Sequence, residues 1–147
     1  MAPGRILVVE DEENCVRALE YFLSQSGHQV AAAPRARAAI ELAAQFRPDV
    51  LLTDLFLADE EGGAEVARTL LAEDPDLPVI VMSGLPEPEI HRRIAGLTVF
   101  RVCTKPIRLA QVAELIDQAL ATDCRRPGPG APRRRPPSPG PRAGRNC

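Results

Sequence analysis

The chain has 147 residues, 45% of them hydrophobic and only 3% aromatic, which suits one domain with an aliphatic core and a short appendage. Its formal net charge of -2 conceals a division: residues 1–124 carry 11 Lys and Arg against 20 Asp and Glu, a balance of −9, while residues 125–147 carry seven Arg and no acid. An acidic body disfavours nucleic acid as its partner, four cysteines without a C-x-x-C pair and two histidines disfavour zinc, and no apolar stretch approaches a membrane span.

Strand and helix patterns alternate five times. Met1–Arg5 leads directly into an apolar strand at 5–9, so no signal peptide is expected and a cytoplasmic location is. A helix follows over 13–26, with Val16, Leu19, Phe22 and Leu23 at helical spacing and Gly27 as its C-terminal stop. A short strand at 28–33 precedes a helix at 35–46 with Ala36, Ala39, Ile40 and Ala43 inward. Pro48 and Asp49 break the chain before a strand at 50–54. Gly62-Gly63 opens a third helix facing inward through Val66, Leu70 and Leu71. Pro75 and Pro78 lead into a strand at 79–82. A weak helix at 87–95 has Pro86 and Pro88 at its start and Gly96 at its end. A strand at 98–103 and a helix at 108–121, striped by Leu109, Val112, Leu115, Ile116 and Leu120, complete the series.

Strands one, three and four are near-continuous apolar runs, as expected of strands covered on both faces. Repeated βα units imply parallel strands joined by right-handed crossovers. The predicted fold class is therefore α/β, a three-layer sandwich with a five-stranded parallel sheet over residues 1–124. The 23 residues of the tail at 125–147 hold seven Pro, seven Arg and four Gly, too little apolar material for a core, and disorder is expected there.

Four strand ends carry polar groups: Glu10 and Asp11 after strand one, Asp54 ending strand three, Ser83 after strand four and Lys105 after strand five. In an open parallel sheet such ends lie along one edge, where these folds build their sites. Adjacent carboxylates at Glu10 and Asp11 repel phosphate. The chain also lacks the glycine-rich loops that cradle nucleotides. A hard divalent cation such as Mg2+ relieves the repulsion, since it takes oxygen ligands and keeps several waters. A solvated acidic loop is the plainer alternative, because Glu12 and Glu13 also suit a helix N-terminus. Asp54 could complete a metal site or act as a nucleophile toward phosphorus. Lys105 could pair with phosphoryl oxygens and Ser83 could donate to one.

Ile6-Leu7-Val8-Val9-Glu10-Asp11-Glu12, Leu51-Leu52-Thr53-Asp54, Pro78 through Gly84 and Thr104-Lys105-Pro106 stand in this order on alternating elements. Over residues 5–121 the chain resembles the receiver domains of two-component response regulators. The resemblance implies a flavodoxin-like sheet of strand order 2-1-3-4-5. It implies that Asp54 is the phosphoacceptor, taking its phosphoryl group from a sensor histidine kinase or a phosphotransfer protein in a phosphorelay. It further implies Asp11 as a direct Mg2+ ligand, Glu10 as an acid reaching the ion through water, and Asp54 and the Phe56 backbone carbonyl as further ligands. Ser83 is implied as the switch hydroxyl, Lys105 as the phosphoryl-pairing lysine, and Lys105–Pro106 as a cis bond.

Two positions depart from the family pattern. Val102 stands where a switch aromatic is common, with Phe100 expected on the same strand face, and the acid pair is Glu-Asp rather than Asp-Asp. The resemblance implies that the positions two beyond Asp54 and two beyond Ser83 flank the path of the hydrolytic water; here they are Phe56 and Leu85, which cannot orient water, so slow self-dephosphorylation is expected. The unit is expected to be a stand-alone receiver rather than an enzyme, catalysing only its own phosphorylation and dephosphorylation. The expected signalling surface is the fourth helix, fifth strand and fifth helix, acting on an unidentified downstream protein without direct DNA or membrane binding. The alternatives are a phosphorylation-independent receiver-like interaction module and a Mg-dependent phosphohydrolase.

Overall fold

In the computed structural model, which describes residues 3–57 and 62–123, five parallel strands stand in the order β2-β1-β3-β4-β5. They are β1 (Arg5–Val9), β2 (Gln29–Ala33), β3 (Val50–Asp54), β4 (Val79–Ser83) and β5 (Arg101–Thr104). The helices are α1 (Glu13–Gln25), α2 (Ala36–Phe46), α3 (Gly62–Glu73), α4 (Glu87–Arg93) and α5 (Leu109–Thr122). The predicted tail at 125–147, with Cys124 and Cys147, lies outside the described residues.

The burial pattern explains the sequence pattern. β3 and β4 are buried at every residue and β1 at four of five, whereas β2 and β5, the sheet edges, are mostly not. Alternate residues of the central strands enter different cores. Ile6, Val8, Leu52, Ile80 and Met82 pack with Leu19 and Leu23 of α1 and Val112 and Ile116 of α5. Leu7, Val9, Leu51, Val79 and Val81 pack with Ala36 and Ala39 of α2, Val66 and Leu70 of α3 and Ile90 of α4. Each large aliphatic side chain buried this way contributes about 1.5–3 kcal/mol. The two clusters therefore clamp the sheet from both sides and hold its strand tips in fixed register.

Helix termini follow local chemistry. The Glu12 carboxylate accepts from the amides of Asn14 and Cys15 and so caps α1. Gly27, at φ +90°, provides the left-handed residue after that helix. Arg47 takes the equivalent position after α2 with φ 55°.

Two boundaries differ from expectation by more than one residue. β5 begins at Arg101 instead of 98: Arg101 pairs with Ile80, and in that register residues 98–99 lie beyond Val79, where β4 starts. α4 ends at Arg93 instead of 95, running into turns around Gly96 at φ +82°. The late start of β5 also separates Phe100 from Val102, the pair expected to share one strand face. Phe100 packs against the α1/α5 cluster together with Cys103, while Val102 is exposed on the strand.

Candidate functional site

Parallel pairing sets Val9 beside Thr53, Asp54 beside Met82 and Ser83 beside Thr104. The residues that follow each strand therefore gather at one edge of the sheet. Glu10 leaves β1 with its amide donating to the Ala33 carbonyl of β2 at 3.1 Å, and Lys105 leaves β5 with its amide donating to the Ser83 carbonyl at 2.9 Å.

Lys105 joins the acids. Its Nζ donates to Asp54 Oδ2 at 2.6 Å and to Glu10 Oε2 at 2.8 Å. Both carboxylates are buried, and the lysine side chain is 28% exposed. Burial of the ammonium works against its charge, but hydrogen bonds to Asp54 and Glu10 outweigh it and raise the Lys105 pKa above the usual lysine range. Burial pushes the Glu10 carboxyl up; the hydrogen bond from Lys105 opposes that shift, and the nearby Asp54 charge adds to it. The second oxygen of each acid is also held. Glu10 Oε1 accepts the Glu12 amide at 3.2 Å and Asp54 Oδ1 accepts the Phe56 amide at 3.1 Å.

Asp11 is the exposed member of the group. Glu10, Asp11 and Asp54 each offer a carboxylate oxygen within 4.8 Å of the others. A pocket of three carboxylates with an all-oxygen donor set, partly buried and open at Asp11, fits a hard divalent cation of the Mg2+ type. Lys105 neutralises only part of that charge. Glu12 and Glu13 stand apart: Glu12 caps α1, and Glu13 pairs with Arg17 at 2.6 Å in solvent.

Ser83 is buried on the same edge, and its Oγ accepts the Leu85 amide at 3.1 Å. That contact uses a lone pair, so the hydroxyl proton can turn to an oxygen arriving over the site. Lys105–Pro106 is cis. Phe56 is half exposed, and the Arg93 guanidinium lies 4.4 Å from the centroid of its ring.

Gly63 is a site residue that the chemistry of side chains could not reveal. Its amide donates to the Leu55 carbonyl at 3.2 Å. A β-carbon there would overlap the Asp54 carbonyl oxygen and lie 2.7 Å from the Thr53 hydroxyl. The start of α3 is thus packed onto the backbone of Asp54. The Gly62-Gly63 doublet was the available signal, though it marks a helix entry equally well.

Among known proteins, the response regulator MprA of Mycolicibacterium vanbaalenii is 36% identical over 95 residues, covering 65% of this chain and 40% of that protein. The probable transcriptional regulatory protein TcrX of Mycobacterium tuberculosis is 33% identical over 112 residues, covering 75% and 47%. The chain thus spans less than half the length of either relative. The solved signal receiver domain of a modulated diguanylate cyclase from Desulfovibrio desulfuricans superposes with a TM-score of 0.74 at 25% identity, over 83% of this chain and 97% of that one. The chemotaxis protein CheY4 of Vibrio cholerae superposes with a TM-score of 0.74 over 81% of this chain and 100% of its own, and at 19% identity this is a likeness of fold. The response regulator receiver domain family matches residues 6–117, and the chain belongs to that family.

Proposed function

We propose that this receiver accepts a phosphoryl group on Asp54 from the phosphohistidine of a sensor histidine kinase or phosphotransfer protein. The observation that carries the reading is the Lys105 ammonium bridging Asp54 and Glu10 at 2.6 and 2.8 Å, with Asp11 beside them. In the transfer, a carboxylate oxygen of Asp54 forms the new bond to phosphorus. The phosphorus–nitrogen bond breaks, and its electron pair returns to the imidazole. Lys105 then shifts its hydrogen bond from the carboxylate to a phosphoryl oxygen, and Ser83 Oγ–H donates to another. Asp11, Asp54 and the Phe56 carbonyl would hold Mg2+ directly and Glu10 would reach it through a water; when bound, the ion would supply charge that offsets the phosphoryl oxygens.

Once phosphorylated, the domain signals by protein contact across the α4-β5-α5 face. Lys105 follows β5 directly and Ser83 opens the segment leading to α4, so the two groups that meet the phosphoryl also border that face. Operation in the cytoplasm is part of the same proposal. No helix among the described residues is long and apolar enough to cross a membrane. As a signalling domain it turns over no external substrate. Incubation with Mg2+ and acetyl phosphate, followed by intact mass, tests the reading: wild type gains one phosphoryl group and Asp54→Ala gains none. Equal gain by both, or gain by neither, contradicts it.

A further inference from the structure

Phe56 touches the site through its backbone and touches α4 through its ring. Its amide donates to Asp54 Oδ1 at 3.1 Å, so the residue borders the Asp54 pocket. Arg93 stacks on that ring at 4.4 Å. It reaches there from the last residue of α4, in the direction helical side chains lean, toward the helix N-terminus. Arg93 Nε is in turn held by Glu89 Oε1 at 3.1 Å, one turn earlier. A continuous path of contacts therefore runs from the reacting carboxylate to the outer helix. α4 has seven residues, of which only Ile90 is buried. Arg92 provides an internal comparison: it pairs with the same Glu89, yet it is Arg93 that lies over the ring.

We propose that Arg93 is a positioning residue that holds the Phe56 ring over the rim of the Asp54 pocket and thereby slows loss of the phosphoryl group. The proposal rests on Asp54 being the phosphoacceptor. In that loss, a water oxygen forms a bond to phosphorus. The bond from phosphorus to the Asp54 oxygen breaks, its electron pair restores the carboxylate, and inorganic phosphate leaves with a proton released to solvent. A ring pinned at the rim narrows the approach of that water. Freed of Arg93, the ring samples other rotamers and the approach opens.

The test is the first-order rate of phosphoryl loss from protein charged with acetyl phosphate and then freed of donor, followed by intact mass. Arg93→Ala and Phe56→Ala should each shorten the lifetime by about two- to fivefold, the factor matching a partly exposed cation–π contact. The double variant should be no faster than the faster single one, because the two residues act as a unit. Arg93→Lys and Phe56→Tyr, which preserve the contact, should restore most of the lifetime, and Arg92→Ala should leave it unchanged. A wild-type protein that takes up no phosphoryl group removes the phosphoacceptor reading and this proposal with it. A charged wild type whose lifetime is matched by Arg93→Ala, or altered equally by Arg92→Ala, overturns the positioning role alone.

Discussion

Lys105 Nζ and Asp54 Oδ2 lie 2.6 Å apart although 51 residues separate them in the chain. The contact exists because β3 and β5 flank β4 in parallel and all three end at the same edge. One ammonium therefore bridges two buried carboxylates, and its removal leaves Glu10 and Asp54 facing each other without compensation. Lys105→Met should destabilise the metal-free protein by about 2 kcal/mol, below the loss for a fully buried pair because the lysine is partly exposed. Urea unfolding should show a lower midpoint at unchanged slope, and added Mg2+ should recover more stability in the variant than in wild type.

Asp11 is the exposed acid of the cluster, and the buried pair already has Lys105. A divalent cation should therefore depend strongly on Asp11. Mg2+ should raise the thermal midpoint of wild type through preferential binding to the folded state, and Asp11→Asn should abolish most of that rise. Glu13→Gln, which removes an acid that pairs with Arg17 in solvent, should preserve it. Equal responses in the two variants would mean a diffuse ionic effect.

The start of α3 has no room for a side chain at Gly63, where a β-carbon meets Asp54 and Thr53. Gly63→Ala should cost about 3 kcal/mol by overpacking against backbone that cannot yield. It should also lower phosphoryl uptake, since the strain falls on Asp54 itself. At Gly96, where a β-carbon meets nothing within 4 Å and only the φ of +82° is unfavourable, the same substitution should cost about 1–2 kcal/mol and leave uptake intact. Denaturant midpoints of the two variants give the comparison.

Burial, followed by the charge of Glu10, pushes the Cys15 thiol up to about 11, and burial raises that of Cys103. The thiolate is the reactive form. Native protein treated with iodoacetamide near neutral pH should therefore remain unmodified at both positions by peptide mapping. Alkylation of Cys15 should rise roughly tenfold per pH unit on the alkaline side. Rapid neutral labelling of Cys15 would show that its helix opens readily.

Much of this architecture was legible in the chain because its signals are local or repetitive. The uninterrupted apolar runs of β1, β3 and β4 announce burial on both faces, and the polar residue after each run marks the edge where they meet. What escaped the sequence depends on partners. The start of β5 is set by its register on β4, with Arg101 beside Ile80, which no feature of residues 98–103 encodes. The placement of Phe100 on the α1/α5 side follows from that late start. Glu12 and Glu13 both suited a helix N-terminus by sequence, and the positions of the Asn14 and Cys15 amides single out Glu12 as the cap. The Phe56–Arg93 contact joins a loop to a helix 37 positions on, and neither residue type signals it.

The most direct measurement is the chemical location of the phosphoryl group. Protein charged with acetyl phosphate in Mg2+ is reduced with borohydride, which converts an aspartyl phosphate to homoserine, and the peptides are mapped. Homoserine at position 54 and at no other carboxylate is the expected outcome. Homoserine at Asp11 or elsewhere, with position 54 left as aspartate, would contradict the role assigned to Asp54.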